Sequence, residues 1–124
     1  MQTVVEEYLN SGHRYRMRRG EYLAARQAPK AVGKRLQRLR SAKNLSQDEI
    51  AASIDMATGS ALWTRYESGK YLIPVINANK LCDVYGITLD WLYRGVEHAG
   101  MPYDLARDLR ALEMQEERAK KPGQ

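Results

Sequence analysis

Phenylalanine is absent from the 124 residues, and cysteine occurs once, as Cys82. A single cysteine excludes an internal disulfide. With only two histidines, His13 and His98, a metal site is not expected, because such sites gather several cysteine and histidine ligands. Cys82, set among Ala78, Leu81 and Tyr85, reads as a small buried hydrophobe. Both histidines read as exposed side chains without chemistry. Glycine and proline are sparse, at nine and four, and no segment alternates with period two for long. No apolar run approaches the ~20 residues that span a bilayer, so no membrane partner is expected. The opening MQTVVEEYLNSGHR lacks the charge-then-apolar order of a signal peptide, and a cytoplasmic location is the default. A phosphate loop and a nucleophile–base pair are missing too. No catalytic residue and no cofactor are therefore expected.

Charge is present and uneven. Twenty Lys and Arg against fifteen Asp and Glu give +5. Residues 1–30 hold six basic and three acidic side chains, 31–97 nine and seven, 98–124 five and five. The excess lies toward the N-terminal end, a distribution that favours a polyanionic partner without identifying one.

Helical spacing runs through almost the whole chain. Val32, Leu36, Leu39 and Leu45 share one side of a first core segment, 31–43, with Arg35, Arg38 and Arg40 on its other faces and Asn44 as its stop. A second helix starts at Ser46-Gln47-Asp48-Glu49, where Ser46 and Glu49 form a capping box. Ile50, Ala51 and Ile54 face inward. Gly59 lies in the following turn, free to take positive φ. A third helix, about Ser60 to Ser68, buries Trp63 and Tyr66 and ends on Gly69 as a left-handed cap. Pro74 opens a fourth, with Val75, Ala78, Leu81, Cys82 and Tyr85 inward, ending at Gly86. Thr88 caps a short fifth with Leu89, Trp91 and Leu92, ending at Gly95. Five short-linked helices predict a compact all-α bundle.

Two appendages flank this core. Residues 2–10 and 20–28 each have helical spacing and enclose the basic run Arg14, Arg16, Arg18 and Arg19. At the other end Met101, Leu105, Leu109 and Leu112, spaced four, four and three, predict an amphipathic helix. Its apolar stripe serves either as a dimerisation surface or as a face packed on its own bundle. The expected domains are a basic helical arm at 1–30, the bundle at 31–97 and a C-terminal helix at 98–124.

VGKRLQRLR, LSQDEIA, WTRYESGK, Pro74 and GITLDWLYRG follow one another at nearly fixed spacing. In these elements residues 32–95 resemble the Cro/repressor-type (Xre-like) helix-turn-helix family of phage and bacterial regulators. The resemblance covers about half the chain and implies a five-helix lambda-repressor-like bundle that binds double-stranded DNA. By position it makes Gln47 the residue that fixes the motif on a phosphate and buttresses the recognition helix. A helix N-terminus also offers free amides to a phosphate on physical grounds. Ser60, Ala61, Thr64 and Arg65 match the outward face of the recognition helix. Arg65 is the candidate for base readout, since its fork pairs with guanine O6 and N7; a phosphate contact and a surface salt bridge stay open. Ser68 and Lys70 match positions beside the sugar-phosphate strand. Arg40 and Glu67 match a structural ion pair. One departure stands out: between Ile54 and Trp63 the chain has about two residues more than the family's usual turn. Either the turn is longer or the third helix starts early, which leaves open the roles of Met56 to Ala61.

These implications converge on a cytoplasmic, nucleoid-associated, sequence-specific transcription regulator. The expected form is a homodimeric repressor on an inverted repeat, with two recognition helices ~34 Å apart. Arg14, Arg16, Arg18 and Arg19 follow phosphates or enter a minor groove, meet RNA or an acidic partner, or form a solvated hinge. Ser68 is the last serine, so a Ser–Lys autoprotease in the tail is not expected. The competing reading is an antitoxin-like interaction module whose terminal helix binds a partner protein, marked by a tail that orders on binding.

Overall fold

The computed structural model describes residues 26–57, 59–96 and 98–120. It contains six helices among these residues: α1 Pro29–Ala42, α2 Gln47–Ser53, α3 Ser60–Ser68, α4 Val75–Tyr85, α5 Leu89–Arg94 and α6 Tyr103–Ala119. The segment 1–25, with Arg14, Arg16, Arg18 and Arg19, lies outside the described residues, as does Thr58.

Local chemistry accounts for most of the boundaries. Pro29 stands in the first turn of α1, where its missing N–H removes no helical hydrogen bond. Asn44, just past its end, has φ +54, a conformation that asparagine tolerates better than most residues. At α2 the Ser46 hydroxyl accepts from the Glu49 amide at 3.0 Å, and the Ser46 amide donates to Glu49 at 2.9 Å. Thr88 caps α5 in the same way through the Trp91 amide. Gly69, at φ +82, closes α3.

The central helix is α1. It packs against α3, α5 and α6, while α2 lies on α3 and α4 on α5. Val32, Leu36 and Leu39 from α1, Ile50, Ala51 and Ile54 from the α2 region, Trp63 and Tyr66 from α3, and Trp91 and Leu92 from α5 form one buried cluster. Trp63 and Tyr66 meet edge to face with centroids 6.4 Å apart, a favoured aromatic geometry. The Tyr85 hydroxyl bonds Ser53 at 2.5 Å, and the Tyr93 hydroxyl donates to the Ile73 carbonyl at 2.7 Å. These bonds tie α4 to α2, and α5 to the α3–α4 loop.

One open choice is decided by burial, and four sequence expectations need correction. Leu105 and Leu109 of the C-terminal stripe lie in the bundle's own core, with Met101 packed against it and Leu112 half-buried. The stripe is therefore an intramolecular face, and the physical reason is burial: α6 covers α1 as a sixth layer of the same cluster. Arg35 does not decorate an outer face but is 7% exposed. His98 is buried, not exposed; its ring lies against Trp91 and its Nε2 is 3.2 Å from Glu113 of α6. Val75 is exposed, because α4 begins beyond the edge of the core. Cys82 is only half-buried.

Candidate nucleic-acid interface

Between Ile54 and Ser60 the described residues form a turn. Asp55 takes φ +56, the Met56 amide returns to the Ala51 carbonyl at 3.0 Å, and Gly59 takes φ +65 before α3 starts at Ser60. Helix α3 therefore starts at Ser60, after the turn and not within it. Trp63, Tyr66 and Glu67 point inward. Ala61, Thr64, Arg65 and Ser68 are exposed, and Ser60 is half-buried.

What aims this face is the carboxylate of Glu67, 5% exposed. Arg40 of α1 grips it with two bonds, Nε to Oε2 at 2.7 Å and Nη2 to Oε1 at 3.1 Å. Gln47 of α2 donates to Oε1 at 3.2 Å, and the Trp63 indole N–H donates a short hydrogen bond to Oε2. Donors from three helices thus converge on one buried acceptor, which is how a buried charge is tolerated. Bonding to Glu67 holds the Arg40 guanidinium above its ordinary pKa. Gln37 of α1 adds a bond to the Glu67 main-chain carbonyl at 3.2 Å. The sequence offered the Arg40–Glu67 match; it did not offer Trp63, Gln47 or Gln37 as fellow donors.

Gln47 also accepts from the Thr64 hydroxyl at 2.8 Å. Both ends of its amide are thus engaged by α3, a buttress. The first turn of α2 carries Asp48 and Glu49, and hydrogen bonding to the Ser46 amide keeps the Glu49 carboxyl below its usual pKa. Two carboxylates beside those amides disfavour a phosphate there.

Arg65 has no ion-pair or hydrogen-bond partner for its guanidinium among the described residues, so the surface salt bridge is not formed. Its carbonyl accepts from the Lys70 amide at 3.0 Å, which closes the helix end and sets Lys70 beside it. The Ser68 hydroxyl donates to the same carbonyl at 3.1 Å. Lys70 Nζ lies 5.8 Å from the centroid of the Tyr71 ring, within cation–π range. Lys30 and Lys34 of α1 border a recess shared with Ser68, and the Lys30 backbone lies against Gly69. These two cations were not singled out from the sequence. Their i, i+4 spacing around the VGK motif was the available signal. Together Lys30, Lys34 and Lys70 flank the C-terminal end of α3 with three exposed ammonium groups.

No helix among the described residues is long and apolar enough to cross a membrane. A family model described as a helix-turn-helix domain matches residues 33–98. No curated protein and no solved structure gives a significant match to the chain. The matched span takes in α2, the turn and α3, and stops short of α6.

Proposed function

The chain belongs to the helix-turn-helix domain family, and on that premise we propose that it is a sequence-specific transcription regulator that reads double-stranded DNA with α3. The observation that carries this reading is the pairing of a rigid inner side with an exposed outer one on which the Arg65 guanidinium has no partner among the described residues. Glu67 ties α3 to α1 and α2, with the Trp63 indole of α3 itself as a further donor, while Ala61, Thr64 and Arg65 face outward. In this proposal Arg65 reads a guanine edge, Thr64 donates or accepts at a neighbouring base, and Ala61 meets a thymine methyl. Ser60 and Ser68 bond to the backbone at either end of the helix. Lys30, Lys34 and Lys70 pair with phosphates, taking over the contact expected of Gln47, whose amide buttresses α3. Arg14, Arg16, Arg18 and Arg19 extend the cationic contact along the duplex.

The regulator acts as a homodimeric repressor on an inverted repeat, two copies doubling the few base pairs one α3 reads. Its self-contact uses a surface other than Leu105 and Leu109, which the bundle covers. The antitoxin-like alternative needs α6 free to wrap a partner protein, and the burial of those leucines gives it no support.

Selection of genomic fragments by the purified protein at ~150 mM salt, with Arg65→Ala in parallel, tests the proposal. An enriched inverted repeat is expected. Arg65→Ala weakens binding to it by ~1–3 kcal/mol and leaves non-specific binding nearly unchanged. Equal loss on all duplexes would reduce Arg65 to a backbone contact, and the absence of any shared motif would overturn sequence-specific reading.

A further inference from the structure

On the side of α1 away from the Glu67 network, α1, α6 and the end of α5 flank an open cavity of about 940 Å³. Arg35 lines it, as do the apolar surfaces of Trp91, Val96 and Met114. Its walls carry five basic and three acidic side chains, a balance of +2 with His98 neutral. Two of the three acids are already engaged: Glu113 with His98, and Glu116 with Arg38 at 2.5 Å.

Arg35 is the unusual member. It is buried, and Nη1 donates to the Leu92 carbonyl and Nη2 to the Arg26 carbonyl, each at 2.8 Å. Both acceptors are neutral, and no carboxylate among the described residues forms an ion pair with it. One bond to a late carbonyl of α5 and one to the chain ahead of α1 use two of the five N–H groups a guanidinium offers, and the nearest compensating charge, Glu113, acts on Arg35 without forming an ion pair with it. Gly95 allows the crowding: a Cβ there would fall 2.5 Å from Arg35 Nη2 and 3.1 Å from Arg26 Nη2. Burial first, then repulsion from Arg26 and Arg38, lowers the Arg35 pKa to about 10. A buried cation with spare donors beside an open space is a site built for an anion.

We propose that this cavity binds a small organic anion with an apolar body, its acid group paired with Arg35 and its body resting against Trp91, Val96 and Met114. The site goes beyond the DNA-reading proposal and does not depend on it.

The probe is anilinonaphthalene sulfonate, titrated by fluorescence into the full-length chain, with neutral phenylnaphthylamine as its uncharged counterpart. Saturable binding of one sulfonate per chain is expected. Arg35→Met weakens it about tenfold or more, the loss of one charge-assisted bond, while the neutral probe is unaffected. Met114→Glu, at an exposed position of α6, sets a carboxylate at the cavity and weakens the sulfonate likewise; circular dichroism verifies its fold. Three results would each overturn the site. They are no saturable binding, unchanged sulfonate affinity in the folded Met114→Glu variant, and equal losses of both probes in Arg35→Met.

Discussion

Deleting the Glu67 carboxylate would leave the Arg40 guanidinium, the Gln47 amide and the Trp63 indole N–H facing one another with nothing to accept their hydrogen bonds. Glu67→Ala is therefore expected to cost ~1–3 kcal/mol in urea denaturation, the range for leaving buried donors unsatisfied, since the Arg40 side chain keeps a quarter of its surface in water. A cost under ~1 kcal/mol would place Arg40–Glu67 with ordinary surface ion pairs. The pair was legible as a family match, whereas the indole donor was not, because a tryptophan at a core position gives no hint of where its N–H points. Cys82 gives a second residue-level expectation. Burial, with the charge of Asp83, raises its thiol pKa, so the thiol stays protonated to higher pH than a free cysteine. Alkylation by iodoacetamide should be slow at neutral pH, with its rate rising through a midpoint above that of glutathione measured alongside. A midpoint at or below glutathione's would contradict the direction.

Where α1 crosses α3, the two main chains nearly touch. A Cβ on Gly33 would lie 2.4 Å from the Glu67 carbonyl oxygen and 2.6 Å from that of Tyr66, backbone atoms that cannot swing aside. Gly33→Ala should therefore pry α3 from α1 and destabilise the fold by ~1–3 kcal/mol despite alanine's better helix propensity. Thermal melting checks this, and a rise in melting temperature would mean that the contact relaxes freely. The elements themselves were largely readable, since a capping box, a left-handed glycine and a 3.6-residue period are all local signals. Ser60 to Ser68 was read to the residue. Non-local facts were not readable. Periodicity says that a helix has an inner face, but not which neighbour meets it, so Arg35 and His98 were assigned to solvent and Val75 to the core.

At the scale of the molecule, α6 was read as an appendage and proves to be part of the core. Leu109 is fully buried, and Leu109→Ala should cost ~2–5 kcal/mol. Far-ultraviolet circular dichroism and tryptophan fluorescence should still fall in one coincident transition. Separated transitions would mean that α6 melts as an independent unit. The choice between self-packing and dimerisation lay beyond the sequence because an apolar stripe looks the same whichever partner covers it. The Gly33 contact has a consequence for inheritance as well as for stability. The tilt of α3 is set by main chain meeting main chain and by a carboxylate on its hidden side, so it owes little to the side chains turned toward solvent. Positions 61 and 65 can therefore diverge between descendants, or be exchanged by design, without re-aiming the helix, whereas Thr64 is held back by its bond to Gln47: new outer faces on an unchanged chassis.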